Sequence, residues 1–284
     1  MKLGIIGLGL IGGSLGLALR SRGHYILGIS RHQETCNLAC EKGIADEASV
    51  DFSLLKDAAV VFICTPIGAI VPTVEQLKPV LAPETILTDV GSVKSAVVEA
   101  VTPLWSNFIG GHPMAGTTEQ GITAAKSDLF SGTRYVLTPT EHTPPDAQKT
   151  VAELAQSLET DVIICSPEAH DQAVAWISHL PVFVSSSLIA ACLQEADGEV
   201  AALAQKLASS GFRDTSRVGG GNPELGVMMA KYNKEAVQRS LQGYQEQLET
   251  IKQVIEDENW DVLEMMLGQT QGARSRFDNY KPKQ

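Results

Sequence analysis

The 284-residue sequence predicts an α/β protein: a mostly parallel, doubly wound sheet at the N-terminus, followed by an all-helical C-terminal domain. Three observations predict it. Short β-branched runs alternate with helical patterns up to about residue 165, the strand pattern then stops, and a glycine-rich stretch, "GLGLIG", joins the first strand directly to the first helix.

Taken in order, "KLGIIG" is the first strand, and "LIGGSLGLALRSRG" has apolar residues at helical spacing before a glycine suited to a C-cap. "HYILGIS", "AAVVFICTP", "TILTDV", "NFIGG", "RYVLTP" and "DVIICS" read as further strands, and "HTPPDAQ" as a turn opening a helix over roughly 145–158. Past "CSPEAHDQ" the pattern is helical. Residues 167–196 form a long apolar helix that Pro181 should kink by removing an amide donor. "GEVAALAQKLASSG" and "NKEAVQRSLQGYQEQLETIKQVIEDENW" are further helices. The expected division is 1–165 for the nucleotide-binding domain and 166–284 for the helical one, whose apolar helices suggest burial against another subunit.

A net charge of −11 and a pI near 5.0 disfavour nucleic acid or an anionic membrane as partner and leave a small molecule as the expected one. No apolar run is expected to reach the roughly 18 residues of a membrane span, and the N-terminus lacks a signal-peptide pattern, so the expected location is cytoplasmic. Five cysteines, an odd number, several in apolar runs, do not suggest a disulfide framework. His32, Cys36 and Cys40 recur at helical spacing, but no fourth ligand accompanies them and no metal is expected.

"GLGLIG" has the context of a Rossmann-type dinucleotide site, with a strand before it and a helix after it. Gly7 allows the tight turn, Gly9 lets backbone approach a pyrophosphate, and Gly12 permits close helix packing. Leu10 and Ile11 begin the helix whose amides face the anion. At the end of the second strand, where NAD enzymes carry a carboxylate for the ribose hydroxyl, stand Ser30, Arg31 and His32. A hydroxyl and a guanidinium suit a 2′-phosphate, which points to NADP; the alternative is Arg31 stacking on adenine with NAD also accepted. Thr65 and Pro66 end the strand beside which the nicotinamide half should lie.

Hydride removal from an alcohol also needs a group that takes the proton, and histidine titrates nearest neutrality. Of six histidines, His112 in "GGHPMAG" follows a strand at the carboxyl edge of the sheet, with Pro113 restricting its backbone. A hydrogen-bonded histidine in a tight turn is the competing reading.

"GLGLIGGSL", "TDVGSVK", "GGHPMAG", "HDQAVAWISHLP" and "GFRDTSRVGGGNPEL", in that order along most of the chain, resemble the prephenate and arogenate dehydrogenases of tyrosine biosynthesis, most closely the NADP-dependent arogenate dehydrogenases of cyanobacteria. The resemblance implies oxidative decarboxylation of arogenate to tyrosine, or of prephenate to 4-hydroxyphenylpyruvate as the alternative, by a homodimer. His112 would accept the proton of the ring hydroxyl, and Ser92 would orient that hydroxyl, unless Ser92 merely caps a helix. A carboxylated substrate needs a cation, and "FRDTSR" offers two. The family pattern points to Arg217, while Arg213 could instead pair with Asp214. His179 is implied as a substrate contact, with a satisfied core histidine as the other reading. Two rivals stand beside this. β-Hydroxyacid and 6-phosphogluconate dehydrogenases share the domain order but leave the histidine of "GGHPMAG" unexplained, and an NADP-binding regulator would leave the site idle.

Overall fold

In the computed structural model, which describes residues 1–117 and 119–277, the seven expected strands form together with an eighth. They are β1 (Lys2–Ile6), β2 (Tyr25–Ile29), β3 (Glu47–Ser49), β4 (Val60–Ile63), β5 (Ile86–Asp89), β6 (Phe108–Pro113), β7 (Arg134–Thr138) and β8 (Asp161–Ile164). The unexpected one, β3, is the three-residue edge strand "EAS", which carries no β-branched or aromatic residue and therefore no signal. The sheet order is β3-β2-β1-β4-β5-β6-β7-β8, parallel throughout except between β6 and β7. Because the chain starts in the middle and winds outward both ways, its direction of progress reverses between β1 and β4. A ligand crevice opens at the carboxyl ends of strands at such a point.

The crossover helices α1 (Leu10–Arg20), α2 (Gln33–Glu41), α3 (Ile67–Leu77), α4 (Ser95–Val101) and α5 (Pro145–Ser157) cover the sheet. Strands covered on both faces need continuous apolar runs rather than alternation, and all four residues of β4 are buried. Leu3, Ile5, Leu15, Leu19, Phe62 and Ile109 belong to one core beneath the nucleotide loop. This unit ends at His170 and a second begins at Asp171.

The second unit is helical. α6 (Pro167–Val174), within which the division falls, runs through a π turn over Ala175–His179 into α7 (Leu180–Leu193), and α8 (Gly198–Leu207), α9 (Ser210–Ser216), α10 (Pro223–Tyr232), α11 (Lys234–Glu256) and α12 (Trp260–Arg274) follow. The kink expected at Pro181 takes another form. Pro181 occupies the first turn of α7, where a missing amide costs little, and the irregularity lies ahead of it in the π turn. α8 and α12 have no buried residue, and Leu203, Leu207, Trp260 and Leu267 are exposed on them. By length and composition the helical run Pro167–Leu193 is apolar enough to cross a membrane, contrary to the sequence expectation. It nevertheless carries Glu168, His170, Asp171 and His179, which hydrocarbon would leave to be paired at high cost.

Candidate active site

The turn after β1 has the geometry that a bound pyrophosphate requires. Gly7 sits at φ +94°, and a Cβ there would press on the Cys64 carbonyl, while a Cβ on Gly12 would collide with the Gly7 carbonyl oxygen. Gly9 differs: nothing of the protein lies within 4 Å of the place its Cβ would take. It is the N-cap of α1 and no side chain caps that helix, so the first amides, including those of Leu10 and Ile11, face outward for an anion. Gly9→Ala should therefore leave the unfolding midpoint within about 2 °C while weakening dinucleotide binding at least tenfold; Gly12→Ala should lower the midpoint itself. Thermal melts with and without cofactor check both.

At the end of β2, Ser30 is half-buried and its Oγ accepts from the amide of His32 at 3.3 Å, while Arg31 and His32 are exposed. No carboxylate stands in this turn. After β4, Pro66 begins α3, and the buried Thr65 Oγ1 has no hydrogen-bond partner among the described residues. The half-buried Ser92 likewise has a hydroxyl that is shielded and unpartnered among those residues. Ser92 does not cap α4, whose N-cap is Lys94. Orphaned hydroxyls of this kind, at the carboxyl ends of β4 and β5, fit a site completed by ligand.

The residues that hold this edge together were not singled out by sequence reasoning. Beyond Thr88, β5 and β6 no longer pair through backbone, and the carboxylate of Asp89 takes over. Asp89 accepts from the amides of Gly91 at 2.8 Å and Gly111 at 3.2 Å and is ion-paired with Lys94, whose Nζ also donates to the Gly111 carbonyl at 2.7 Å. Both side chains are fully buried. The pair ties the loop carrying Ser92 to the strand carrying His112. The signal was present in "TDVGSVK", where an acid and a base bracket a glycine loop between apolar segments. Gly111 is obligatory in this bracket, since a Cβ would lie 2.7 Å from the Asp89 carbonyl oxygen.

His112 lies within β6 rather than after it, because antiparallel pairing with β7 extends the strand through Pro113 and sets His112 opposite Val136. Its ring is buried, with Nδ1 2.8 Å from Nε2 of His170 and the two rings edge to face at 5.0 Å. His170, in the helix that starts at Pro167, is the neighbour that orients His112 and was not singled out from the sequence. One of the two facing nitrogens must carry a proton and the other must not, so each ring fixes the tautomer of the other.

The remaining sequence-predicted residues belong to the helical unit. His179 closes the π turn, fully buried, with Nδ1 3.3 Å from the Asn233 amide nitrogen. Arg217 begins a short 3₁₀ turn after α9, exposed and without an ion pair or hydrogen bond among the described residues. Arg213 is also exposed and pairs with Asp214 at 3.0 Å.

Residues 15–164 match the family model for the prephenate dehydrogenase nucleotide-binding domain, and 166–269 match that for the prephenate dehydrogenase dimerization domain. A prephenate dehydrogenase of Bacillus subtilis is 33% identical over 91% of this chain and 71% of its own length. Among solved structures, arogenate dehydrogenase of Synechocystis is 54% identical with a TM-score of 0.89, covering 98% of this chain and 100% of that one. Prephenate dehydrogenase of Aquifex aeolicus, in complex with hydroxyphenyl propionate and NAD+, is 28% identical with a TM-score of 0.92, covering 98% of each. Two family models that together span most of the chain, over a sheet with a nucleotide-binding turn, establish that it belongs to the prephenate dehydrogenase family: an oxidoreductase with a nicotinamide-nucleotide domain followed by a dimerization domain.

Proposed function

We propose that this enzyme converts arogenate to tyrosine and carbon dioxide with NADP as oxidant, as a cytoplasmic homodimer, and that His112 is its proton acceptor. The observation that carries the proposal is the His112–His170 contact. It engages Nδ1 of His112 in a buried setting, which supports Nε2 as the nitrogen that would take the substrate's proton. Held at the Gly7–Gly12 turn, a bound nicotinamide dinucleotide would supply the acceptor for the hydride leaving ring carbon C4. His112 takes the proton of the C4 hydroxyl, and the orphaned Ser92 hydroxyl holds that oxygen in line. Loss of the C1 carboxylate as carbon dioxide then leaves an aromatic ring, and the phenolate oxygen recovers a proton. Because aromaticity is gained, the step runs in one direction.

Arg217 would bind the substrate carboxylate, with His179 as a further contact; Arg213, spanned by Asp214, would contribute more weakly. Arg217→Ala should raise KM for substrate roughly thirtyfold or more, equivalent to about 2 kcal/mol, with kcat little changed. An unaltered KM in initial-rate kinetics would remove it from the site.

The preference for arogenate is supported by 54% identity to the Synechocystis arogenate dehydrogenase. NADP is supported by Ser30 and Arg31 standing where a carboxylate would repel a 2′-phosphate. Prephenate is the second reading, favoured by the Bacillus subtilis relative. Offering arogenate and prephenate, each with NADP and with NAD, and following reduced-nicotinamide absorbance separates the readings. Higher kcat/KM for arogenate with NADP is expected; a preference for prephenate, or for NAD, refutes the corresponding part. The dimer is supported by the family's dimerization domain and the exposed apolar residues of α8 and α12.

A further inference from the structure

We infer that Asn233 is a positioning residue that fixes His179 as its Nε2–H tautomer, so that this ring meets an oxygen of the substrate as a hydrogen-bond donor. The backbone carbonyl of Asp171 can only accept, and it lies 2.8 Å from one end of the Asn233 amide. That end is therefore the NH₂ group. The same nitrogen lies 3.3 Å from Nδ1 of His179. An amide nitrogen has two hydrogens and accepts none; with one directed to Asp171, the other points at Nδ1, which must be bare. A neutral imidazole with bare Nδ1 carries its proton on Nε2.

The surroundings make this assignment rigid. Asp171, His179 and Asn233 are respectively 4%, 0% and 6% exposed, so bulk water has little access to stand in for either amide hydrogen. Asn233 also stands at the N-cap of α11, where an asparagine side chain ordinarily caps the helix, yet it makes no cap bond there. Its amide is committed to Asp171 and His179 instead. The side chain thus forgoes its usual local role for one across the helical unit.

The chemical consequence rests on the reading of His179 as a substrate contact. A ring presenting N–H offers a hydrogen bond to a carboxylate or carbonyl oxygen and none to an ammonium group. Arogenate and prephenate differ at the side chain in ammonium against keto group and share a carboxylate, so His179 would address oxygen in either.

The test uses full-length enzyme labelled with ¹⁵N-histidine, with the His179→Gln protein assigning the His179 signals in long-range ¹H–¹⁵N spectra. In the native enzyme, Nδ1 of His179 is expected to resonate as the bare nitrogen and Nε2 as the protonated one. Asn233→Asp keeps the shape of the side chain but places an acceptor opposite Nδ1. It should move the proton to Nδ1 and raise KM for arogenate about tenfold with kcat within about threefold. Asn233→Ala should lose the fixed tautomer without acquiring the opposite one. A proton on Nδ1 in the native enzyme, or an unchanged tautomer in Asn233→Asp, overturns the inference. If the tautomer responds as stated but KM in Asn233→Asp and His179→Gln does not move, the lock stands and the substrate role of His179 fails.

Discussion

Replacing His112 by asparagine is expected to lower kcat by about 10²- to 10⁴-fold while leaving dinucleotide affinity within about twofold. Asparagine preserves the polar contact with His170 but cannot take up a proton, and the nucleotide turn at Gly7–Gly12 belongs to a different strand end. The loss should appear in kcat and kcat/KM together, the signature of an interaction made in the transition state. Stopped-flow absorbance under saturating substrate and cofactor fluorescence titration supply the two readings. Turnover surviving within tenfold of the native rate would show that His112 is a structural histidine of the strand.

The second large effect concerns stability. Lys94→Met should cost about 3–5 kcal/mol, because it leaves the Asp89 carboxylate buried without its counter-charge. For a unit of this size that corresponds to a fall in the unfolding midpoint on the order of 10 °C. The amides of Gly91 and Gly111 still donate to Asp89, so the cost falls short of that for an isolated buried charge. Removing both charges in Asp89→Asn/Lys94→Met should recover part of the loss, since an unpaired charge is worse than none. Calorimetry on the three variants decides it. A midpoint within 2 °C of native for Lys94→Met would mean that the pair contributes nothing to holding β5 and β6 together.

These two residues show how far the sequence could be read. His112 was legible because strand, glycine pair, histidine and proline form a local pattern, and its place at the sheet edge follows from topology. Six of the seven expected strands were legible because a buried strand in such a sheet must be apolar along most of its length, and the largely exposed β8 was legible through its β-branched residues. β3 was not, having neither length nor composition. Asp89 and Lys94 carried a local signal in "TDVGSVK" that shows the pair but not its hold on Gly111, while His170 and Asn233 escaped because their partners are tertiary. Asp89 meets Gly111 across 22 positions of sequence, His112 meets His170 across 58, and His179 meets Asn233 across 54. No periodicity or spacing rule reaches that far. The proline in the long helix was legible as a disturbance but not as its form, since a π turn is set by what its side chains pack against rather than by a sequence signal.

That π turn bears on how this enzyme can change over generations. A π turn is equivalent to a single residue added to an α-helix and absorbed on the spot, so the helix beyond it keeps its facing. Losing one residue from Ala175–Ser178 would restore α-helical geometry and change the offset between Asp171 and His179, the two groups on either side of the turn that Asn233 bridges. A one-codon deletion here would thus reset the hydrogen bonding of His179 without a cascade of repacking, making the length of this short segment a local evolutionary dial.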